Sequence, residues 1–157
     1  MNIEIITPQN RARINDFIAR HWFTTTMIIR GQAVDMTAVD GLFVLEDDKI
    51  AALVTYVQHG DTLEITSLDS LREGRGLGTM LIRKVVDIAK ELNCRRVAVI
   101  TTNDNINAIR FYQRRGFDMA RLYRNAMDVS RKLKPEIPLI GEHGIPLRHE
   151  IEFEFVL

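Results

Sequence analysis

The sequence predicts one mixed α/β domain, built on a mostly antiparallel sheet of six to seven strands with one parallel strand–helix–strand crossover and flanking helices. Three observations predict it. The length of 157 residues fits a single domain of ordinary size. Short β-rich runs separated by polar turns occupy much of the first half of the chain. A glycine-rich segment then opens an amphipathic helix, and an unbroken apolar run follows, as in a strand that is covered on both faces.

The first half of the chain alternates strand and helix patterns. Residues 3–6 form a short β-rich run, and residues 9–22 space apolar side chains at helical intervals. Residues 23–40 have weak periodicity, so we expect at most a short helix within a long loop there. Three apolar runs joined by polar turns follow, at residues 42–45, 50–57 and 62–68. Consecutive strands with short turns predict an antiparallel meander.

The second half contains the predicted crossover. Apolar residues recur every three or four positions across residues 77–92, which predicts an amphipathic helix of about four turns. Residues 97–100 predict the buried strand that follows it. Residues 105–115 predict a second helix, and residues 117–123 predict a further strand. A strand that leads into a helix and then into a neighbouring strand implies a right-handed parallel crossover.

The C-terminal region has two contrasting parts. Residues 124–150 form a connection that contains several Pro and Gly residues, and connections of this length in compact domains are usually functional or mobile. In residues 151–157 apolar and polar side chains alternate, as in a half-buried strand. We therefore expect Phe153 and its apolar neighbours to face the core, and Glu152 and Glu154 to face solvent.

The charge and cysteine content exclude several classes of protein. Lys plus Arg and Asp plus Glu both number 21, so the chain lacks the overall basic field that drives non-specific nucleic-acid binding. Cys94 is the single cysteine, which excludes an intramolecular disulfide and a cysteine-based zinc site, and favours a reducing cytoplasm. We expect it to be a small buried thiol. The sequence has neither a secretory signal pattern nor a run of about 18 apolar residues, so we expect no membrane span.

A glycine-rich turn at residues 73–79, Glu-Gly-Arg-Gly-Leu-Gly-Thr, is the first motif that predicts chemistry. It lies where a strand leads into a helix, so backbone N–H groups and the positive end of the helix dipole both favour an anion such as phosphate. Arg75, with Arg72, would add charge-assisted hydrogen bonds. The turn lacks the lysine of a P-loop, and Thr79 stands where a dinucleotide fingerprint has its third glycine. A tight strand-to-helix turn without a ligand is the alternative.

A second motif lies one strand later, at residues 105–117. Together the two motifs resemble the GCN5-related N-acetyltransferase (GNAT) family. The family signature Q/R-x-x-G-x-G/A, which grips the pyrophosphate of acetyl-coenzyme A, is similar to residues 73–78. The pattern N-x-x-A-x-x-F-Y-x-x-x-G-F is matched by Asn105, Ala108, Phe111, Tyr112, Gly116 and Phe117. Glu73 departs from the family's Gln or Arg, and a carboxylate beside a pyrophosphate is unfavourable unless it points away or pairs with an arginine.

The resemblance implies a GNAT-like single N-acetyltransferase domain over residues 1–157. Its coenzyme-binding core would be residues 62–123, followed by a variable connection at 124–150 and a C-terminal strand at 151–157. Acetyl-coenzyme A (acetyl-CoA) is implied as the cosubstrate. No metal is expected, because the histidines form no close ligand pair on a helix. The implied coenzyme contacts are Ser67, Leu68, Asp69, Gly74, Arg75, Gly76, Leu77, Gly78, Thr79, Asn105, Ala108, Phe111 and Tyr112.

The catalytic roles follow from the same resemblance. Asn105 is expected on the pantetheine side of the coenzyme, and Tyr112 beside its sulfur. The chemistry requires a base for the protonated amine, an N–H group for the oxyanion and an acid for the leaving thiolate. Tyr112 is the expected acid, and a backbone N–H of residues 67–69 is the expected oxyanion donor. Glu64 is the expected base, with Asp69 as the alternative; either could instead be a solvated strand residue.

The implied function is transfer of an acetyl group to a primary amine of a small molecule or peptide, by direct attack in a ternary complex. A non-catalytic acyl-CoA-binding module or sensor is the alternative, and a nicotinamide-dependent dehydrogenase is a less favoured third. A homodimer is expected from the resemblance alone, without a nucleic-acid or membrane partner. Residues 124–150 are expected to shape the acceptor side or a subunit contact. Trp22 and Phe23 are most simply core aromatics, although in a cleft they could form an acceptor wall.

Overall fold

The computed structural model describes residues 2–72 and 74–157 of the chain. Its elements, in chain order, are β1 (Ile3–Ile5), α1 (Arg11–Trp22), β2 (Thr26–Ile29), β3 (Gln32–Asp35), β4 (Asp40–Glu46), β5 (Lys49–His59), β6 (Thr62–Ser70), α2 (Leu77–Glu91), β7 (Arg96–Thr102), α3 (Ile106–Arg114), β8 (Asp118–Tyr123), α4 (Ala126–Leu133), a 3-10 turn (Glu142–Gly144) and β9 (Glu150–Val156).

The main sheet has the order β1-β4-β5-β6-β7-β9-β8 and contains one parallel pair. β2 and β3 form a separate two-stranded sheet. β6 and β7 are neighbours connected by α2, which is the connection that a parallel pair requires. This arrangement confirms the predicted mixed, mostly antiparallel sheet with a strand–helix–strand unit. In the part of the chain that is described, no helix is long and apolar enough to cross a membrane.

The chain divides into two compact units. The first contains the described part of residues 1–27 and 35–97 together with Leu157, and the second contains residues 28–34 and 98–156.

In the first unit, β1, β4, β5 and β6 pair antiparallel in that order, and α2 packs against β4, β5 and β6. Three members of the predicted apolar stripe of α2 are buried, whereas Leu92 at its end is 44% exposed. The buried residues of the helix are Leu77, Gly78, Leu81, Ile82, Val85 and Ala89. β4 and β5 are joined by Asp47 and Asp48, which both have positive φ. Two left-handed residues in succession match the twist of the flanking strands, which is why this polar pair forms the hairpin turn.

The second unit has a buried aromatic cluster. Tyr112 of α3 packs against Phe117 and Phe153, with ring centroids 5.4 and 6.1 Å apart. All three side chains are buried. β8, which follows Phe117 in the sequence, pairs antiparallel with β9, which contains Phe153. The register of this pair shifts between Met119 and Arg121. The motif residues of α3 are therefore also packing residues of this unit.

The expectation of a short helix within residues 23–40 is wrong. β2 and β3 form a hairpin there, joined by Arg30 and Gly31 with φ values of 51° and 69°. Glycine adopts this conformation freely, whereas arginine rarely does. The sequence therefore carries only half of the usual signal for a tight hairpin turn. Residues 124–150, in turn, contain α4 and the 3-10 turn, neither of which was predicted.

The prediction that only one face of the last strand is buried is wrong, although Phe153 is buried as predicted. Glu150 and Glu152 of β9 are buried, with 4% and 6% of their surface exposed, whereas Leu157 is 37% exposed. The burial of Glu152 has a local reason, since the Tyr123 hydroxyl donates a hydrogen bond of 2.9 Å to its Oε1 atom. Arg30 also lies 4.0 Å from the same carboxylate. A buried carboxylate is tolerated when such partners satisfy it.

The two aromatics at the end of α1 do not lie in the core. Trp22 is 42% exposed and Phe23 is 92% exposed. Phe23 occupies the C-cap of α1 with φ of 59°, a left-handed conformation that ends the helix. Cys94 is buried, as predicted.

Candidate active site

The glycine turn presents backbone atoms at the start of α2. Gly74 and Gly76 have φ values of 76° and 75°, and Gly76 is the N-cap of the helix. The first intrahelical bond runs from Met80 N to Gly76 O, at 3.0 Å. The N–H groups of the first turn therefore point out along the helix axis, and no acidic side chain lies in that turn. This arrangement favours an anion at the N-terminus of α2.

Gly74 and Gly76 are required for their backbone conformation, and not because a side chain there would collide with neighbouring atoms. A Cβ atom placed on Gly74 or Gly76 would meet no atom of residues 2–72 and 74–157 within 4 Å. Their positive φ values, however, are unfavourable for residues with side chains. As far as the described residues are concerned, there is open space beside both glycines, into which a ligand could bring its phosphates. Glu73, where this chain departs from the family signature, lies outside the described residues.

Two arginines of the turn share one carboxylate that sequence analysis missed. Arg72 Nε lies 3.2 Å from one carboxylate oxygen of Glu46, and Arg75 Nη1 lies 2.5 Å from the other. The Glu46 side chain is largely buried at the end of β4. It belongs to a different hairpin, so no sequence spacing could have revealed this pairing. Glu46 holds both cationic side chains next to the turn.

A β-bulge in β6 decides which way its side chains face. Thr55 of β5 lies opposite Ser67, whereas Tyr56 lies opposite Ile65, so one residue of β6 is unmatched. Side chains that lie opposite each other in a ladder share a face of the sheet. This shift was the information that sequence analysis lacked, because it sets the facing of the candidate carboxylates.

The bulge brings the two candidate bases to the same face. Glu64 lies opposite Val57, and Asp69 lies opposite Leu53. Val57 and Leu53 are an even number of positions apart on β5, so Glu64 and Asp69 face the same way. In a regular strand their odd separation would have placed them on opposite faces. Both residues are buried.

The bulge also gathers three hydroxyl groups. Thr55 Oγ1 lies 2.7 Å from Thr66 Oγ1 and 2.6 Å from Ser67 Oγ. Because these hydroxyls are buried and hydrogen-bonded to one another, they stabilise the irregular stretch of β6. Residues 67–69, which were predicted to supply the oxyanion donor, therefore follow directly after a fixed bulge.

Glu64 and Asp69 have different partners. Only 2% of Glu64 is exposed, and its Oε1 atom lies 3.3 Å from Nε2 of the half-exposed His59. Asp69 Oδ2 accepts a hydrogen bond of 3.1 Å from the indole N–H of Trp22. Burial raises the pKa of Asp69 above its usual value of 3.8, and the Trp22 hydrogen bond and the charge of His21 only partly oppose it. Asp69 therefore holds a proton more readily than an aspartate in water does.

The start of α3 is fixed by the first residue of the second motif. Asn105 is the N-cap of α3, and its Oδ1 atom accepts a hydrogen bond of 3.1 Å from Ala108 N. An asparagine side chain at this position accepts a hydrogen bond from one of the N–H groups that have no intrahelical acceptor at the start of a helix. The spacing of Asn and Ala in the motif is therefore that of a helix cap. This cap sets the direction of the helix that carries Tyr112.

Tyr112 is enclosed by aromatic neighbours. Only 5% of its surface is exposed, and Phe111 meets it edge to face at 5.2 Å. The guanidinium of Arg115 stacks on Phe111, 3.7 Å from the ring centroid, and its Nη1 atom donates to the Phe111 carbonyl oxygen. These contacts hold Tyr112 in one orientation.

Comparison with known proteins identifies the family. A family model described as "Acetyltransferase (GNAT) family" matches residues 10–117. Two uncharacterized proteins of Bacillus subtilis (strain 168) are similar along most of the chain. YdhI is 43% identical over 157 residues, or 98% of each chain, and YxbD is 42% identical over 139 residues, or 88% of this chain and 87% of its own.

Solved structures share the fold at lower identity. An IAA acetyltransferase from Bacillus cereus ATCC 14579 superposes with a TM-score of 0.71 at 20% identity, over 99% of both chains. A Bacillus subtilis acetyltransferase in complex with CoA gives 0.68 at 17% identity, over 99% of this chain and 98% of its own. A GNAT acetyltransferase from Elizabethkingia anophelis with acetyl-CoA bound gives 0.68 at 18% identity, over 99% of both. The glycine turn, the capped motif helix and these similarities together show that the chain belongs to the GNAT acetyltransferase family.

Proposed function

We propose that the protein is an N-acetyltransferase that moves an acetyl group from acetyl-CoA to a primary amine of a small molecule or peptide. The observation that carries this proposal is the turn at Gly74 and Gly76, which opens α2 with backbone N–H groups and leaves space above them. Two structures with the same fold were solved with CoA or acetyl-CoA bound, which supports the same cosubstrate here. The reaction uses no metal.

The proposed coenzyme site has two parts. The glycine turn binds the pyrophosphate through the N–H groups of residues 76–79 and the side chain of Arg75. Asn105 and its helix neighbours contact the pantetheine arm, as the family resemblance implies. The full set of proposed contacts is Ser67, Leu68, Asp69, Gly74, Arg75, Gly76, Leu77, Gly78, Thr79, Asn105, Ala108, Phe111 and Tyr112.

The proposed reaction has three linked steps. A base removes a proton from the acceptor ammonium, and the freed nitrogen attacks the thioester carbonyl carbon. The oxyanion of the tetrahedral intermediate accepts a hydrogen bond from a backbone N–H of residues 67–69. The C–S bond then breaks, the nitrogen gives up its second proton to solvent, and the thiolate takes the phenol proton of Tyr112, which is restored from solvent. The products are the N-acetylated amine and coenzyme A.

Glu64 and Asp69 are the two candidate bases. Glu64 has His59 3.3 Å away, and this half-exposed side chain offers a route for the proton to solvent. Burial raises the pKa of Asp69 above its usual value, which makes its carboxylate a stronger proton acceptor than that of an aspartate in water. The same face of β6 carries both, but they lie opposite Val57 and Leu53, four positions apart on β5, so each would require its own acceptor position.

We also propose partners for the protein, on the family resemblance alone. The connection at residues 124–150 shapes the acceptor side or a subunit contact, and the protein forms a homodimer. We propose no nucleic-acid or membrane partner. A cytoplasmic location stays a prediction from the single cysteine.

Ligand-induced thermal stabilisation is the first test. Acetyl-CoA at about 100 times its dissociation constant is expected to add about 2.7 kcal/mol, a rise in Tm of several degrees, and coenzyme A should act similarly. NAD should give no shift, because the dinucleotide fingerprint is incomplete. Amines are then screened by thiol release. Binding without turnover of any amine would support the acyl-CoA sensor instead, and no shift with either coenzyme would overturn the proposed site.

Replacement of Tyr112 by Phe tests the acid. We expect kcat to fall about 100-fold or more, because the thiolate then leaves without its proton donor. The dissociation constant of acetyl-CoA should change less than about twofold, since the ring and its packing are kept. Tyr56→Phe is the matched control, because Tyr56 lies opposite Ile65, on the other face of the sheet from Glu64. Unchanged kcat in the Tyr112 variant would remove Tyr112 as the acid.

A further inference from the structure

The three hydroxyl groups at the bulge of β6 carry more protons than their mutual hydrogen bonds use. Thr55 Oγ1 lies 2.7 Å from Thr66 Oγ1 and 2.6 Å from Ser67 Oγ, and each oxygen carries one proton. The two hydrogen bonds use two of these protons. Among residues 2–72 and 74–157, no other group accepts the third. A buried donor without an acceptor is costly, so a ligand oxygen would be a favourable partner for it.

The third proton belongs to one of the two outer hydroxyls. Thr55 lies in the middle of the three and is fully buried, with 0% of its surface exposed. If both neighbours donated to Thr55, its own proton would be enclosed without an acceptor, which is unfavourable. Thr55 therefore donates to one neighbour and accepts from the other. The neighbour that accepts keeps its own proton for another group.

The register of the sheet favours Ser67 as that neighbour. Ser67 lies opposite Thr55, whereas Thr66 is the unmatched residue of the bulge. The residues opposite Glu64 and Asp69 are each two positions from Thr55 on β5, one on either side of it. Because side chains two positions apart on a strand share a face, Ser67 lies between the two candidate bases on their face of the sheet.

The order of the hydrogen bonds makes Ser67 a stronger donor. With Thr66 donating to Thr55 and Thr55 donating to Ser67, the Ser67 oxygen accepts one hydrogen bond while its proton stays available. Hydrogen bonds in series polarise one another, so the bond that Ser67 accepts strengthens the one that it donates. A negatively charged oxygen gains most from such a donor, because charge-assisted hydrogen bonds are stronger than neutral ones.

We propose that the Ser67 hydroxyl is a second oxyanion donor in the acetyl transfer, beside the backbone N–H of residues 67–69. When the amine nitrogen attacks, the carbonyl electron pair moves onto the thioester oxygen, and Ser67 Oγ–H donates a hydrogen bond to it. No proton is transferred in this contact, and the bond weakens when the C–S bond breaks and the carbonyl forms again. Ser67 is thereby a catalytic residue, and this inference rests on the proposed acetyltransferase function.

Thr55 has a different role in the same proposal. It does not touch the reacting atoms, but its hydrogen bond to Ser67 Oγ sets the direction of the Ser67 proton. It is therefore a positioning residue. All three hydroxyls and both candidate bases belong to the first compact unit, so the arrangement is contained within one unit.

Ser67→Ala tests the donor. The kcat and the kcat/KM for the acceptor should fall together by about 100-fold, because the lost hydrogen bond is strong only in the transition state. The dissociation constant of acetyl-CoA should change less than about threefold, since the uncharged carbonyl gains much less from the same donor.

Thr66→Val is the matched control. Thr66 makes one hydrogen bond to Thr55, as Ser67 does, and both residues are 8% exposed. Each substitution removes one hydroxyl group, so the two variants should lose similar free energies of unfolding in urea denaturation. Thr66→Val should nevertheless keep kcat within about threefold of the unmodified protein, because its hydroxyl only donates to Thr55. Equal falls of kcat in the two variants would show a merely structural role and overturn the inference, as would unchanged kcat in Ser67→Ala.

Two substitutions at Thr55 test the positioning role. Thr55→Val keeps the shape of the side chain without its hydroxyl, and kcat should fall about tenfold because nothing then directs the Ser67 proton. Thr55→Ser keeps the hydroxyl and should retain kcat within about threefold, even where the lost methyl group lowers stability. Equal kcat in the valine and serine variants would overturn the positioning role. Should Thr55→Val fail to fold, the comparison of Ser67→Ala with Thr66→Val still decides the main proposal.

The two proposals fail in different ways. If the unmodified protein binds acetyl-CoA but acetylates no amine, or binds no acetyl-CoA, the acetyltransferase proposal is wrong and the role of Ser67 falls with it. If the unmodified protein acetylates an amine and Ser67→Ala keeps its kcat, only the role of Ser67 is wrong.

Discussion

Two glycines, one in each compact unit, are required for opposite reasons. Gly76 has φ of 75° and open space around the position of a Cβ atom. Gly141 has φ of −94°, which any residue adopts, but a Cβ atom there would lie 2.1 Å from a carboxylate oxygen of Asp104. The first glycine is needed for its backbone conformation and the second for its lack of volume.

The difference reflects how the two regions bind. At the start of α2 the backbone itself is the proposed ligand-binding group, so side chains are kept away and a left-handed residue turns the N–H groups outward. At the β7–α3 turn, side chains bind another part of the same chain, and the partner backbone must approach them closely. The glycine turn at the start of α2 can be recognised in the sequence because all its residues are consecutive. In the second case the contact joins residues far apart in sequence.

The largest expected effect is that of Gly141→Ala. The added methyl group must displace the Asp104 carboxylate or the backbone around Gly141, and overpacking of this kind costs about 1–3 kcal/mol. We expect a matching loss in the free energy of unfolding, measured by urea denaturation. Because the cause is contact with one side chain, removal of that side chain should relieve it.

A double-mutant cycle tests this cause. Gly141→Ala combined with Asp104→Ala should lose less stability than the sum of the two single changes, with a coupling of about 1 kcal/mol or more. Additive losses would mean that Gly141 is needed for something other than its closeness to Asp104. Gly144→Ala lies on the same 3-10 turn, where a Cβ atom meets nothing within 4 Å. With φ of 70°, it supplies a conformational control without the clash.

Substitution at Gly76 is expected to have the next largest effect. Alanine in a left-handed conformation costs about 1–2 kcal/mol, which corresponds to a few degrees in Tm for a domain of this size. Asparagine tolerates this conformation better, and Asn125 with φ of 58° is the N-cap of α4 in this same chain. Gly76→Asn should therefore keep most of the stability. Its side chain would nevertheless enter the space proposed for phosphate, so acetyl-CoA should bind at least tenfold more weakly.

The outcome separates conformation from ligand contact. Full stability together with full coenzyme affinity in Gly76→Asn would show that the space above the turn is not used. Equal loss of stability in the alanine and asparagine variants would contradict the conformational explanation. Gly60→Asn is a suitable control, because Gly60 also has positive φ, 58°, and open surroundings, but lies in the turn between β5 and β6.

Most of the fold could be predicted because its signals are local. The apolar stripe of α2 and the meander of β4, β5 and β6 appear directly as periodicity. The hairpin at residues 26–35 was missed because Arg30 adopts positive φ without the usual Asn, Asp or Gly. The burial of Glu152 was missed because its partners, Tyr123 and Arg30, come from another strand and from a distant turn. Periodicity reports which residues alternate, but not whether a polar side chain finds a partner in the core.

The candidate site divides in the same way. Residues 73–79 and 105–117 were recognised because each motif is continuous in sequence. The facing of Glu64 and Asp69 could not be predicted, since one unmatched residue in β6 reverses every side chain beyond it. Glu46, which holds Arg72 and Arg75, is distant from both in sequence. Both the facing of these side chains and the Glu46 contacts arise only when the sheet is assembled, so no local sequence pattern predicts them.

The smallest expected effect is the pH dependence that Asp69 adds to stability. Burial raises its pKa in the folded protein above the value of 3.8, so the folded state holds this proton more tightly than the unfolded state. The stabilising contribution is fully present below pH 3.8 and is lost as the pH rises through the folded pKa. Asp69→Asn cannot ionise, so the variant should lose less stability than the unmodified protein over that rise. Urea denaturation at a series of pH values measures the difference.

The same variant also distinguishes the two candidate bases, with Glu64→Gln as its matched partner on the same face of β6. If Asp69 is the base, Asp69→Asn should abolish most of the turnover and the acidic limb of the pH–rate profile, whereas Glu64→Gln should keep that limb. The reverse pattern would assign the proton transfer to Glu64 and give His59, 3.3 Å away, the role of passing the proton to solvent. Trp22→Phe sharpens the comparison, because removal of the indole hydrogen bond should raise the pKa of Asp69 further and shift the acidic limb to higher pH. The Trp22 indole donates to the Asp69 carboxylate and is one of the groups that lower its pKa. If the acidic limb does not move in the Trp22 variant, that limb does not report the ionisation of Asp69.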